Sequence, residues 1–212
     1  MPEETYNIQL DADQVNTALL NVHGADTEPT AASTKMVQSG GLHAYLEGER
    51  QNSGYGVYDD LTTTEGSPLL AANARVQLTI DGDGPATYIE QIPGGEFVLW
   101  DDVGNFIQPA NDGDAYMMRV SFRYKSNALN SHFDLELDIS PTGDGSNVIL
   151  LDTIQCLKAA NTEARYNQSH FIYTRSTFIA NGGRLFINST DAGDTISIYE
   201  QTLVIGRIHK AI

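Results

Sequence analysis

The most regular alternation of apolar and polar residues lies between Ala115 and Ile139, which reads AYMMRVSFRY, then KSNALN, then SHFDLELDI. In its first part apolar residues occupy every second position from Tyr116, and in its last part every second position from Phe133. Successive side chains of a strand point to opposite faces, so both parts predict strands with one buried and one solvent-facing side. The polar break between them predicts an antiparallel pair deep in a β-sandwich.

Short alternating runs of the same kind recur from Arg75 onward, separated by clusters of Gly, Asp, Asn and Pro that favour turns. Besides the central pair, the sequence predicts strands at 75–80, 96–100, 105–107, 147–151, 170–178, 184–188 and 195–208. About eight or nine strands at this spacing are typical of an antiparallel jelly roll. We therefore predict an all-β jelly-roll sandwich as a head domain over residues 73–212.

Residues 1–72 differ in composition, with eleven acidic residues against two basic ones. Asp13 is placed to cap a short helix over residues 14–22, but a helix of this length is marginal in water and needs a packing partner. Residues 51–72 are rich in Gly, Ser, Thr and Asp and have few apolar groups, which favours an extended segment that docks on another surface. The sequence thus predicts a short helical and extended attachment arm over residues 1–72.

The charge of the chain argues against nucleic-acid binding. The formal net charge is −16, and only 12 Lys and Arg residues are spread over 212 positions, whereas phosphate recognition uses clustered basic residues. No basic-then-apolar leader opens the sequence, and no apolar run approaches the roughly 20 residues of a membrane span. We expect no nucleic-acid partner and synthesis in the cytoplasm without membrane insertion.

The sequence predicts no catalytic residue, no metal site and no cofactor. The five histidines lack metal-ligand spacing, and the aspartate pairs 81/83, 112/114 and 191/194 match no calcium loop, so turn formation explains these aspartates better. No nucleophile elbow or phosphate-binding loop is present, so an enzyme is not expected. Cys156 and Trp100 both lie in apolar runs, which favours a core position for Cys156 and a core or interface position for Trp100 over a reactive thiol or a sugar-stacking ring.

One N-terminal segment, residues 27–46, resembles a recurrent element of bacteriophage fibre and appendage proteins. That element has Pro-Thr, a Ser, and Val-x-Ser-Gly-Gly followed by a short apolar helix. The matching residues are Pro29, Thr30, Ser33, Val37, Ser39, Gly40, Gly41 and Leu42. The resemblance implies that these residues take part in attachment to a virus particle.

The last two thirds of the chain resemble the C1q and tumour-necrosis-factor type of jelly roll used by phage accessory proteins. The resemblance rests on Val98–Asp101, Gly113–Tyr116, Asn181–Gly183 and the terminal strand from Ile196 to Ile208. Members of this family assemble as trimers in which aromatic residues meet along an axis. Residues that could serve this role here, or equally belong to the core of one chain, are Tyr116, Phe122, Phe171, Tyr173 and Tyr199.

Together the two resemblances imply a non-enzymatic bacteriophage structural protein at the virion surface, assembled in the host cytoplasm. The implied form is a homotrimeric capsid decoration or head-fibre protein whose partner is the major capsid protein or another virion protein. The first alternative is a tail fibre or receptor-binding module that recognises host-surface glycans. A hydrolase is a third alternative, but the 28 acidic residues point to no particular catalytic pair.

Overall fold

A computed structural model of the chain describes residues 54–88, 99–156, 159–189, 191 and 193–210. All of them lie in one compact unit, Asn52–Ile212. The predicted helix at 14–22 and the fibre-like element that contains Pro29 to Leu42 lie outside the described residues.

The described residues form eleven strands and one short helix. These are β1 (Gly54–Asp59), β2 (Leu69–Ala72), β3 (Arg75–Gln77), β4 (Trp100–Asp101), β5 (Phe106–Ile107), β6 (Ala115–Ser126), β7 (His132–Asp138), β8 (Val148–Gln155), β9 (Ala164–Tyr173), α1 (Ser176–Asn181), β10 (Arg184–Ser189) and β11 (Thr195–His209).

Two antiparallel sheets make up the body of this unit. The five-stranded sheet has the order β1-β11-β6-β9, with β2 also paired to β11, and the four-stranded sheet has the order β3-β10-β7-β8. The chain enters β6 in the first sheet, makes β7 and β8 in the second, and then alternates between the sheets through β9, β10 and β11. The antiparallel pair predicted for residues 115–139 is therefore wrong: β6 pairs with β11 and β9, β7 pairs with β10 and β8, and the polar break carries the chain from one sheet to the other. This antiparallel double-sheet winding is that of a jelly roll and confirms the predicted fold class.

The core fills the space between the two sheets and follows the alternation of the central stretch. Phe122 of β6 stacks on Tyr166 of β9 with ring centroids 4.9 Å apart, and its ring lies 6.2 Å from that of Phe133 of β7. A buried side chain of this size stabilises the fold by about 1.5–3 kcal/mol. Fully buried residues of β6 and β7 include Tyr116, Met118, Phe122, Phe133, Leu135 and Leu137.

Part of the predicted arm belongs to this sandwich. β1 and β2, from residues 54–72, both pair with β11, with Val57 opposite Val204 and Ala72 opposite Thr195. The apolar residues of this segment are few because each strand supplies only one or two side chains to the core, among them Tyr58. The sandwich therefore begins by residue 54 rather than at residue 73.

The predicted strand at 170–178 ends early. β9 stops at Tyr173, and the next residue, Thr174, donates its side-chain hydroxyl to the carbonyl oxygens of Asn111 and Asp114 at 2.8 and 3.0 Å. The chain then turns into α1, which places Phe178 in the core. A six-residue helix is too short to leave a helical period in the sequence, so the alternation suggested a longer strand.

Trp100 and Cys156 both lie in the core, as the sequence predicts. Trp100 is fully buried and donates its indole N–H to the carbonyl oxygen of Ile80 at 2.9 Å. Burial raises the pKa of the Cys156 thiol, which disfavours the nucleophilic thiolate. Neither residue is placed to carry surface chemistry.

An ion cluster fixes the four-stranded sheet from its solvent side. Arg75 of β3 lies 2.6 Å from Glu136 and 2.9 Å from Asp138, both on β7. Burial alone would raise the pKa of Asp138, but hydrogen bonds from Ser140 and Gly145 and the charge of Arg75 outweigh it and hold the pKa below its usual range. The carboxylate of Asp138 therefore stabilises the folded state.

This stabilisation should depend on pH. Because the pKa of Asp138 is lower in the folded than in the unfolded chain, its contribution is complete above the unfolded value of about 3.9 and is lost as the pH falls through the folded value. We expect Asp138→Asn to lower the free energy of unfolding by about 1–3 kcal/mol at pH 7 and by less below pH ~3.9. Urea unfolding at both pH values, with the exposed Asp83→Asn as control, measures this. A loss of equal size at both pH values would contradict the assignment.

Candidate interaction surface

The face of the five-stranded sheet that points away from the core, here called the outer face, carries a continuous row of side-chain positions. Tyr55 of β1 lies opposite Gly206 of β11, Gly206 lies opposite Met117 of β6, and Met117 lies opposite Phe171 of β9. Residues directly opposite each other in antiparallel strands point to the same face. The row therefore crosses the sheet from one edge to the other.

Large apolar side chains on and beside this row are exposed. Tyr173 and Ile208 lie two residues beyond Phe171 and Gly206 on the same strands, and Tyr88 extends the face beyond β1 through two backbone hydrogen bonds to Val57. The exposed fraction runs from 41% for Tyr88 to 61% for Phe171. We call this set the apolar patch: Tyr55, Tyr88, Met117, Phe171, Tyr173 and Ile208. Clustered exposed apolar side chains of this kind mark interaction sites.

Gly206 makes the centre of the row shallow. A Cβ atom at this position would lie 3.1 Å from the carbonyl oxygen of Gly54 and 3.2 Å from the Cβ of Tyr55. With hydrogen in place of a side chain, Tyr55 and Met117 stand on either side of a depression. A side chain of a partner could enter there.

The other half of the outer face is charged, and most of its basic side chains form ion pairs with carboxylates of the same chain. Arg123 lies 2.6 Å from Glu163 and 2.5 Å from Glu200, and Lys125 lies 2.9 Å from Glu65. The hydroxyl of Tyr199 donates to Glu163 at 2.5 Å and, together with Arg123, holds the pKa of Glu163 below its usual range. Except for Arg165, which lies opposite Arg123 and has no carboxylate partner among the described residues, the basic side chains of this half are therefore neutralised within the chain.

A buried ion pair supports the sheet directly beneath the apolar patch. Arg207 lies 3.3 Å from Asp114, and both side chains are almost completely buried. Asp114 also accepts hydrogen bonds from the hydroxyl of Tyr116 at 3.1 Å and from the backbone N–H of Asn111 at 3.2 Å. Burial, with Asp114 adding to it, raises the pKa of Tyr116 to about 12, so the hydroxyl stays protonated and donates. The Gly-Asp-Ala-Tyr motif thus fixes the ends of β6 and β11.

The structure separates the five aromatic residues considered for a trimer interface. Tyr116, Phe122 and Tyr199 are at most 1% exposed within a single chain, so a second copy cannot reach them. Tyr116 and Phe122 belong to the core, whereas Tyr199 lies beneath Lys125 on the charged half of the outer face. Phe171 and Tyr173 are exposed, and for these two the interface role stays a prediction.

Four residues of the apolar patch were missed from the sequence: Tyr55, Tyr88, Met117 and Ile208. A signal was present for Met117. In β6 the positions that alternate with the core are otherwise polar, namely Arg119, Ser121, Arg123 and Lys125. An apolar side chain among them had to face away from the core. The other three gave no such signal: Tyr55 lies in the edge strand β1, Tyr88 lies outside the named strands, and Ile208 lies at a register shift of β11.

A second exposed apolar surface lies on β8, the edge strand of the four-stranded sheet. Its residues Val148, Ile149 and Leu150 are between 38% and 57% exposed. An uncovered apolar edge strand is a site for association with another chain. We call these three residues the β8 edge.

A hydrogen-bonded chain joins β8 to β9 on this side of the sandwich. The Tyr166 hydroxyl lies 2.9 Å from Asp152 Oδ2 and 2.9 Å from His170 Nε2. Burial raises the pKa of Tyr166, with Asp152 adding to it, and burial lowers the pKa of His170. These hydrogen bonds therefore join the edge of one sheet to the edge of the other. Both Tyr166 and His170 are electrically neutral in this arrangement.

Among the described residues, no group of three or more His, Cys, Asp or Glu side chains is arranged to hold a metal ion, and no helix there is long and apolar enough to cross a membrane. A cavity of about 300 Å³ lies where β6, β8 and β9 meet. Its lining consists of Tyr124, Ser126, Gln155, Cys156, Ala159, Thr162, Ala164 and Arg165. The attachment residues Pro29 to Leu42 lie outside the described residues, and their role stays a prediction.

No protein family model matches the chain, and neither does any curated protein. Among solved structures, the chain is similar to Eiger TNF from S. frugiperda at 10% identity, covering 76% of this chain and 96% of that chain with a TM-score of 0.47. It is similar to the globular domain of zebrafish complement 1qA protein at 8% identity (75% and 99% covered, TM-score 0.42). It is also similar to the PRD1 vertex protein P5 at 12% identity (74% and 73% covered, TM-score 0.40). The assignment to the jelly-roll class rests on the strand order of this chain.

Proposed function

We propose that the protein is a non-enzymatic bacteriophage virion protein, a homotrimer whose jelly-roll heads decorate the capsid surface or form a head fibre. The observation that carries this proposal is the apolar patch. In a chain of net charge −16, water would favour charged side chains on an open sheet face, yet six large apolar residues are grouped there. Covering them with another copy removes the cost of exposing them.

Assembly into a closed ring is supported by the presence of two different apolar surfaces. The apolar patch lies on the face of one sheet, and the β8 edge lies at the side of the sandwich. When one surface of each copy contacts the other surface of the next, the contact is heterologous, and the assembly closes into a ring when the rotation between neighbouring copies returns to the first copy. Three copies are the number that the resemblance to C1q and tumour necrosis factor implies.

Attachment to the particle is proposed for the residues that precede β1. The support is the resemblance of residues 27–46, which include Val37, Ser39, Gly40 and Gly41, to the fibre and appendage element. In a trimer three such segments act together, so that the second and third bind at high effective concentration. Weak individual contacts with the major capsid protein then suffice for stable decoration.

Co-sedimentation with undecorated capsids tests this proposal. The deletion must stop before β1, because removing residues 1–72 would also remove β1 and β2 from the sheet. We expect the full chain to sediment with capsids, and a variant lacking residues 1–51 to remain folded and trimeric but to stay in the supernatant. A truncated variant that still decorates capsids at the same occupancy would exclude the N-terminal segment as the anchor.

Glycan binding is the second candidate, and the exposed pair Tyr55 and Tyr88 favours it. Their ring centroids lie 6.5 Å apart at an angle of 43°, and sugar rings stack on aromatic faces of this kind. A glycan array with the full chain, and with Tyr88→Ala, separates this function from decoration. Binding that is lost in the variant would favour a receptor-binding module.

A further inference from the structure

Arg119 occupies a special position between the two halves of the outer face. It lies two residues from Met117 on β6, a separation of about 6.8 Å along an antiparallel strand, and opposite Val204 and Ser169 on the neighbouring strands. Its side chain is exposed and forms no ion pair or hydrogen bond with any described residue, whereas Arg123 and Lys125 on the same face are paired with carboxylates. The positive charge beside the apolar patch is therefore unneutralised.

A partner that covers the apolar patch must also cover part of this guanidinium. Moving an arginine out of water without a counter-charge is strongly unfavourable, so a stable contact must present a carboxylate to it. A second copy of this chain supplies such groups in excess, with 28 acidic residues against 12 basic ones. Two copies of the same strongly acidic chain repel each other, and a positive group at the contact offsets this repulsion locally.

We propose that Arg119 forms an intersubunit ion pair with a carboxylate of the adjacent copy and thereby fixes the relative orientation of the copies. This inference rests on the proposed homotrimer. The apolar patch supplies most of the binding free energy, and Arg119 supplies the specificity. Charge pairs at an interface act in this way, since they penalise misplaced partners and make association depend on salt.

The test compares the full-length wild type with Arg119→Gln and Arg119→Glu by analytical ultracentrifugation at about 50 and about 500 mM NaCl, where charges are screened to very different extents. We expect the dissociation constant to rise about tenfold for the glutamine variant and further for the glutamate variant, and the wild type to weaken at high salt more than the glutamine variant does. Arg165→Glu is the control, because it makes the same change of charge on the same face outside the apolar patch. We expect it to alter association by no more than about threefold.

The outcomes separate this inference from the proposal beneath it. A wild type that is monomeric at every concentration overturns the homotrimer and, with it, the role of Arg119. A trimeric wild type whose stability and salt dependence are unchanged in Arg119→Gln and Arg119→Glu overturns the role of Arg119 alone. An effect of Arg165→Glu as large as that of Arg119→Glu would also overturn it, since net charge rather than a specific ion pair would then control association.

Discussion

Replacing Arg207 by methionine is expected to lower the free energy of unfolding by about 3–5 kcal/mol, because removing one partner of a buried ion pair leaves the other charge uncompensated. The carboxylate of Asp114 would then remain in a dry environment without the guanidinium, although the hydroxyl of Tyr116 and the backbone and side-chain N–H groups of Asn111 still donate to it. Methionine fills most of the volume, so the loss reports the charge rather than a cavity. Chemical denaturation at a fixed protein concentration measures it.

The matched control for this change is Arg165→Met. Arg165 is exposed, and its only hydrogen bond with a described residue is a 3.4 Å contact with Ser121, so its replacement should cost no more than about 0.5 kcal/mol. Similar losses for the two variants would show that the pair of Asp114 and Arg207 does not hold the ends of β6 and β11 together.

The double variant Met117→Asp and Phe171→Asp is expected to be a folded monomer. Both side chains lie in the same row of the outer face and are exposed in one chain, so the substitutions place no charge in the core. In the assembly they would place two carboxylates at the centre of an apolar contact, which should weaken association at least about 100-fold. Sedimentation measures the loss of assembly, and far-UV circular dichroism checks that the fold is kept.

Val103→Asp combined with Leu129→Asp is the control for the double variant. These residues are 91% and 55% exposed and lie in loops outside the outer face, so the control carries the same added charge. It should assemble as the wild type does. If the control dissociates equally, or if Met117→Asp with Phe171→Asp remains assembled, the apolar patch is not the contact surface.

The sequence predicted the parts of the fold in which alternation is long. β6 and β7 alternate regularly enough to be predicted as strands, and their apolar faces share a core around Phe122 and Phe133. Their pairing was predicted wrongly, because alternation shows which face of a strand is buried but not which strand lies beside it. β1 and β2 were assigned to the arm because an edge strand buries few side chains and leaves little periodicity. α1 was missed because the apolar residues around Phe178 continue the alternation of β9 into a helix of only six residues.

The candidate surface could be predicted only in part. Parity within a strand would have placed Tyr116 and Phe122 in the core, since they alternate with Arg119 and share the face of Met118. On β9, Phe171 is next to the buried Ile172, so the same alternation places Phe171 on the exposed face. Which exposed residues come together depends on the register between strands far apart in sequence, such as β1 with β11, and no local pattern fixes that register.

The native mass of the purified protein in solution shows whether the chain forms a homotrimer. We expect one species of three 23.1 kDa chains, about 69 kDa in total, that persists on dilution into the low micromolar range. A single species of 23.1 kDa at micromolar concentration would contradict it. The apolar patch would then have to be explained by a different partner.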